Sequence, residues 1–339
     1  MMKNKAFVMG GQKIKPGTQA VVLYPTPSIN TQIQMEIPAH VLHGKYAGPK
    51  LFITATIHGD EINSIEIIRR VRQLIALDKL HGTVLMVPVA NVYGLMAQSR
   101  YLPDRRDLNR CFPGTKKGTI ATRLAYGIMK EVVKQCQYGI DLHTGGLGRI
   151  NMPQLRVNLA TPGAKELALA FTSAVVIDAK IRDGSLRQAA SEIGIPVLVY
   201  EGGEALRYNE ISIRAGVRGI MNVLDYLGMQ ALSEKRVANT EAVIATGTHW
   251  LRAHAGGLVQ PLQNMIAKPV KKNEILAYIH DPFMIRPSTP IKSPYDGLVI
   301  GEALKPIVSE GDPIYNIATF GEIDGLSSSI EEYRDEFMD

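Results

Sequence analysis

From residue 51 to residue 226 the chain alternates short, β-prone apolar runs with segments of helical period, and this alternation restricts the fold more than any other feature. LFITATI, TVLMVPV, YGIDL and IPVLVY read as strands. INSIEIIRRVRQLIAL, TIATRLAYGIMKEVVKQC, KELALAFTSA, SLRQAASEIG and ISIRAGVRGIMNVLDYLG place apolar residues at helical spacing. Asp60 stands where it can cap the first helix, and Gly118-Thr119 opens the second. Strands alternating with helices predict a mixed, mostly parallel α/β sheet flanked by helices on both faces.

The pattern changes on either side of that stretch. Residues 1–50 form a β-rich opening, with VLYPTP and IQMEIPAHVLHG bounded by turn residues. From about residue 240 to 320 the chain breaks into short β-like pieces with frequent Gly and Pro. HAGGLVQPL (254–262) and YDGLVIGEAL (295–304) both set Gly-Leu-Val after a turn, which a faint internal duplication or chance would equally produce. The predicted organisation is an α/β domain over 1–230, an all-β barrel or sandwich over 231–322, and an acidic tail over 323–339.

The predicted strands end in polar residues. LFITATI runs into His58-Gly-Asp-Glu61, YGIDL into His143-Thr-Gly-Gly, and IPVLVY into Glu201-Gly-Gly. Ligands of open α/β sheets bind beyond the carboxyl ends of the strands. His58, Glu61 and His143 therefore make a two-histidine, one-carboxylate set that suits one Zn²⁺ per chain and leaves a position for water. Glu201 is then the general base. Each residue alone has a plainer role: Glu61 could favour a helix N-terminus, His143 could be a hydrogen-bonded strand end, and Glu201 could cap a loop. Their meeting at one sheet edge is what favours a site. Asp141 is either a partner for His143 or a turn residue, and Asn91 is read as a turn residue.

SRYLPDRRDLNRCFPG (99–114) gathers Arg100, Arg105, Arg106, Asn109 and Arg110 on a predicted loop. Guanidinium groups bind carboxylates bidentately and stabilise oxyanions in dry sites. Elsewhere the basic residues are scattered: 38 Lys+Arg stand against 32 Asp+Glu, and only 6% of residues are aromatic. That distribution argues against nucleic acid and leaves a small anionic ligand. Two cysteines, Cys111 and Cys136, fit a reducing compartment. MMKNKAFVMGGQKIKPG lacks the apolar core of a signal peptide, and no run of about 18 apolar residues suggests a membrane span. The expected location is the cytoplasm.

In order, His58-Gly-Asp-Glu61, Arg100-Tyr101, Asp107-Leu108-Asn109-Arg110, Asp141-Leu142-His143 and Glu201-Gly-Gly resemble the succinylglutamate desuccinylase/aspartoacylase family, a group of zinc hydrolases similar to carboxypeptidase A. The resemblance runs over roughly residues 45–320. It implies that His58, Glu61 and His143 hold zinc, that Glu201 is the base and that Arg100 stabilises the carbonyl oxygen. It also implies that Asn109 and Arg110 hold a substrate carboxylate. Arg105 joins the substrate-binding candidates, since Arg105 or Arg106 could share the role of Arg100. Arg187 is a candidate for a second carboxylate contact, and Arg156 a weaker one. The C-terminal part looks similar to a biotinyl/lipoyl-type sandwich, but Tyr295-Asp296-Gly297 carries no lysine at its tip for lipoylation or biotinylation. That part is expected to cap the pocket entrance or to build a homo-oligomer interface. A tyrosine that assists catalysis in some relatives is left unassigned.

The expected activity is zinc-dependent hydrolysis of the linear amide of a small anionic N-acyl amino acid, with an esterase side activity chemically open to the same site. The alternatives are a metallocarboxypeptidase acting on short peptides and a zinc-binding regulatory module without catalysis. Retention of Glu201 speaks against the last.

Overall fold

The computed structural model describes residues 2–28, 35–180, 182–232 and 243–321. In chain order the first part runs through β1 (Phe7–Met9), β2 (Gln12–Ile14), β3 (Thr18–Pro25), β4 (Glu36–His43), β5 (Tyr46–Ala55), α1 (Asn63–Leu74), β6 (His81–Val87) and α2 (Val92–Met96). It continues with α3 (Ile120–Glu131), β7 (Tyr138–Gly145), β8 (Arg149–Val157), α4 (Ala164–Phe171), β9 (Val175–Asp178), α5 (Leu186–Ser191), β10 (Val197–Glu204) and α6 (Glu210–Tyr226).

The sheet order is β3-β4-β6-β5-β7-β10-β8, with β9 beside β8. The central strands β6, β5, β7 and β10 are parallel, as the strand–helix alternation predicts. The flanks are antiparallel, where β3 meets β4, β4 meets β6, and β8 meets β10. Strand β8 escaped the sequence pattern because Pro153 interrupts it, and proline demotes a strand signal.

Side chains alternate across the sheet. Leu51, Ile53, Ile140, Leu142, Leu198 and Tyr200 pack on the face covered by α1, α4 and α6. Phe52 and Val197 face the opposite core, with residues of α3 and α5. This alternation puts Asp141 and His143 on the face away from Ile140 and Leu142. The space between layers is tight. A Cβ on Gly139 would lie 2.1 Å from the ring of Phe52, so only glycine fits there.

Helix α1 starts later than Asp60 implied. Its N-cap is Ile62, which makes no side-chain cap bond. Asp60 instead uses its backbone carbonyl to accept from Ile62 N and Leu206 N. Thr119 caps α3 and Asn209 caps α6, each through its side-chain oxygen. Asn91 caps the short α2 by accepting from Gly94 N at 2.8 Å.

The C-terminal part is antiparallel β structure: β11 (Val243–Ala245), β12 (Gly247–Arg252), β13 (Gly257–Pro261), β14 (Pro269–Val270), β15 (Ile275–His280), β16 (Thr289–Lys292), β17 (Gly297–Ala303), β18 (Ile307–Val308) and β19 (Pro313–Thr319). β11 is the exception, running parallel to β9. Strands β12, β19 and β17 face the four-stranded sheet β16-β15-β13-β18 across a core that includes Leu276, Ile279, Ile291, Val299, Tyr315 and Ile317. The two Gly-Leu-Val segments open β13 and β17, one in each sheet. Gly301, Glu302 and Ala303 of β17 pair with Asn151, Ile150 and Arg149 of β8, so the C-terminal strands extend the main sheet. This join carries them to the rim where β7 and β10 end. The acidic tail lies outside the described residues. Among the described residues no helix is long and apolar enough to cross a membrane.

Candidate active site

Beyond β5 the chain turns through Thr56, whose φ of +55° is uncommon for a β-branched residue. The turn delivers His58-Gly59-Asp60-Glu61 beneath α2. Gly59 is needed there, because a Cβ would stand 1.8 Å from the backbone carbon of Gly94. His143 arrives from β7. The two imidazoles meet Glu61: His58 Nδ1 and His143 Nδ1 each lie 2.8 Å from one of its carboxylate oxygens, and 3.2 Å from each other. All three residues are buried.

The outer nitrogens are also fixed. His143 Nε2 donates to Asp141 Oδ2 at 2.8 Å, while Asp141 Oδ1 accepts from Thr54 Oγ1 at 2.7 Å. His58 Nε2 donates to Asp107 Oδ1 at 3.2 Å. With both Nε2–H groups so committed, two Nδ1 lone pairs and a carboxylate point at one another. Three electron-rich donors within 4.8 Å, on buried side chains, fit a cation at their centre. The electrostatics agree. Burial opposes charge on both imidazoles, yet Glu61 with Asp107 raises the pKa of His58, and Asp141 with Glu61 raises that of His143 well above the usual value. Burial likewise opposes charge on Glu61, but the two imidazoles hold it well below the carboxylate range.

Asp107 has a second task that sequence reasoning missed. Its Oδ2 accepts from Arg100 Nη2 at 2.8 Å and Nε at 3.2 Å. Arg100 Nη1 lies 3.7 Å from Glu61 Oε1. One carboxylate thus fixes both a candidate ligand and the candidate oxyanion group. Its signal was the Asp-Leu-Asn-Arg spacing: Asp107 Oδ1 also caps the short turn by accepting from Asn109 N at 2.8 Å.

Glu201 on β10 is in register with His143 on the adjacent parallel strand and opposite Gln154 on antiparallel β8. Asn151 Nδ2 donates to Glu201 Oε2 at 3.0 Å. Burial pushes the Glu201 carboxyl up, against the pull of His143 and Arg156.

These groups line one cavity of about 740 Å³. His58, Glu61, His143, Arg100, Asn109, Arg110, Arg187 and Glu201 all border it, so the structure brings together eight of the nine residues predicted from sequence. Arg105 is the exception. It is exposed, adopts φ +60°, donates its backbone N–H to Leu102 O at 2.8 Å and does not border the cavity. The turn that lets Asp107 face inward carries Arg105 outward. Asn109 has its side-chain oxygen taken by Leu186 N at 2.9 Å, which ties the loop to α5. Thr248, Trp250 and Asn316 from the C-terminal strands also border the cavity. The guanidinium of Arg149 lies 5.3 Å from the ring centre of Trp250, joining the two parts of the chain at the rim.

A mixed α/β sheet thus gathers a buried His-Glu-His cluster, the Glu201 carboxylate and several arginines around one cavity, an arrangement suited to a cation and an anionic ligand together. The sequence profile of the "Succinylglutamate desuccinylase/Aspartoacylase catalytic domain" matches residues 47–227, and the chain belongs to that family. An N-alpha-acetyl-L-2,4-diaminobutyric acid deacetylase from Halomonas elongata is 24% identical over 288 residues, covering 80% of this chain and 82% of that protein. The crystal structure of a succinylglutamate desuccinylase/aspartoacylase from Rhodobacter sphaeroides superposes with a TM-score of 0.78 at 24% identity, covering 89% of this chain and 96% of that one. The product-bound ectoine utilization protein EutE from Ruegeria pomeroyi gives 0.78 at 22% identity, covering 89% and 95%. Both structures share the fold of this chain.

Proposed function

We propose that the chain is a cytoplasmic, zinc-dependent deacylase that hydrolyses the amide bond of a small N-acyl amino acid. Its catalytic unit would span residues 1–230 and its β unit residues 231–322. The observation that carries this reading is the convergence of His58, Glu61 and His143 on one point, with Glu201 in register on the neighbouring strand. His58, Glu61 and His143 would hold one zinc ion. When bound, zinc supplies the Lewis acidity that makes a water nucleophilic near neutral pH and polarises the acyl carbonyl.

The chain's own groups do the rest. Glu201 accepts the proton of the attacking water and returns it to the departing nitrogen, so the amine leaves neutral. Its burial suits this relay, because a carboxyl with a raised pKa holds the proton between the two transfers. Asn151 orients one of its oxygens. Arg100, anchored by Asp107, faces the negative charge that grows on the carbonyl oxygen. Arg110 makes no ion pair among the described residues and, with Asn109 and Arg187, is available for substrate carboxylate.

Glu201→Gln tests the reading. The variant is expected to keep its metal while kcat falls by about 10²–10⁴-fold on N-acetyl and N-succinyl amino acids. Near-normal rates would remove Glu201 from the proton relay, and full turnover in rigorously metal-free protein would refute the zinc mechanism.

A further inference from the structure

We propose that Asn63, the first residue of α1, is a positioning residue for Glu201: its side-chain amide clamps the Gly202-Gly203 bulge that follows the base to the turn that carries Glu61. The inference rests on the deacylase reading above and adds a residue to that site.

Glu201 stands where the sheet stops holding its strand. Up to that residue β10 and β7 advance together, with Val197 opposite Gly139 and Glu201 opposite His143. The next pairing is Glu204 with Gly145, so β10 carries one residue more than β7 over that interval. The register against β8 also slips between Glu201 and Gly203. A bulge of this kind re-aims the side chain beside it, and the ladder no longer fixes the backbone there. The peptide next to the base needs another support, because a reacting group misplaced by about 1 Å can lose about 100-fold in rate.

Asn63 supplies that support. It is buried. Its Nδ2 donates to Gly202 O at 3.4 Å, and its Oδ1 accepts from Asn209 N at 2.9 Å, at the N-cap of α6. One amide thereby holds both ends of the connection from β10 to α6. The approach is close: a Cβ on Gly203, whose φ is +79°, would lie 2.3 Å from Asn63 Nδ2. A side chain at that position would displace the amide, which gives the Gly-Gly after Glu201 a physical reason. Leu206 N donates to Asp60 O at 2.8 Å, a backbone bond between the same two segments.

The other side of the clamp is fixed as well. Ser64 Oγ donates to Glu61 O, and Glu61 N donates to His58 O at 3.1 Å. Asn63 therefore follows directly on the turn that carries two of the three candidate cation ligands, His58 and Glu61. The strand register sets Glu201 against His143, and Asn63 sets it against the other two.

The test uses the full-length, zinc-loaded protein and Asn63→Ala, with Asn63→Ser as a second variant should the first melt below the assay temperature. Asn222→Ala is the control. That α6 asparagine donates to Thr172 Oγ1 at 2.6 Å and does not border the cavity, so its loss is expected to lower stability and leave kcat unchanged. In Asn63→Ala, kcat on N-acyl amino acids is expected to fall by about 10–100-fold, with KM and zinc Kd each within about threefold of wild type. Backbone amide exchange is expected to rise across residues 201–209 and not in the rest of the sheet. In a Glu201→Gln background the same substitution is expected to cost less than about threefold, since a residue that acts only through the base has nothing left to position. An equal loss in both backgrounds would overturn the proposal. A zinc Kd raised about tenfold, with kcat restored at saturating zinc, would assign Asn63 to Glu61 and overturn it too. If the wild-type protein hydrolyses no substrate, the deacylase reading fails and exchange alone decides the clamp: a rise confined to 201–209 supports it, and unchanged protection in the Asn63 variant overturns it.

Discussion

Asp107→Asn separates two tasks that one carboxylate performs. In the native chain Oδ1 accepts from His58 Nε2 at 3.2 Å and from Asn109 N at 2.8 Å, while Oδ2 takes Arg100 Nη2 at 2.8 Å and Nε at 3.2 Å. Asparagine can keep the first pair through its amide oxygen. It must turn an NH₂ group toward the guanidinium, or flip and turn it toward His58. Either way one charge-assisted contact becomes donor against donor, and the negative charge behind His58 disappears. Charge-assisted bonds contribute about 1.5–3 kcal/mol each. Arg100 is partly solvated, which sets the loss at its side toward the lower end. Removing the partner of a metal-bound histidine typically costs 10–100-fold in affinity, or about 1.4–2.7 kcal/mol. The zinc Kd of Asp107→Asn, measured by competition with a chromophoric chelator near pH 7, should rise by that factor. The kcat/KM should fall further, because Arg100 loses its anchor as well. Asp104→Asn is the control. Asp104 lies on the same loop and pairs with exposed Arg106 at 3.3 Å, so neither quantity should change. A zinc Kd within twofold of wild type in Asp107→Asn would show that Asp107 does not orient His58.

Gly59→Ala would press a Cβ to within 1.8 Å of Gly94 C and 2.2 Å of Leu95 N, both backbone atoms that cannot swing aside; a loss of about 3 kcal/mol or more is expected, and a melting temperature matching wild type would contradict it. Zinc at about a thousand times its Kd should stabilise the fold by about 4 kcal/mol, so chelation should lower Tm, and a Tm insensitive to chelator would argue against a metal bound only by the native state. Glu66 bonds Arg69 and Arg70 on α1, and these pairs pull its pKa from 4.5 down to about 2. Its folded pKa lies below the unfolded one, so its stabilisation is present above about pH 4.5 and fades as pH falls toward 2. With solvent screening at that surface, Glu66→Gln should cost no more than about 1 kcal/mol at pH 7, and the difference should vanish near pH 2; a penalty that persists there would assign the effect to packing.

Local rules reached far in this chain. Period-two and period-3.6 patterns located the strands that carry His143 and Glu201 and the helices that cover them, because alternation of buried and solvated positions is imposed within a few residues. The spacing of His58 and Glu61 across one turn is local too. Asp60 shows where local signals mislead: its place before the apolar run suggested a cap, but the tight passage of Gly59 under α2 delays the helix to Asn63. Arg105 shows the same limit, since composition counts every guanidinium in a loop alike and the turn at φ +60° sends this one outward.

What no window of sequence could supply is adjacency. That β10 lies between β7 and β8, setting Glu201 beside both His143 and Gln154, depends on strand order, which couples residue 143 to 201 and 154 to 201 through the register of the sheet rather than through any periodic pattern. The shared use of Asp107 by His58 and Arg100, the burial of Arg187 at the cavity and the approach of Trp250 to the rim have the same origin. Side-chain type and spacing prescribe which groups are polar at a strand's end. Only the packing of distant segments into one sheet settles which of those groups face one another, and at what distance their charges act.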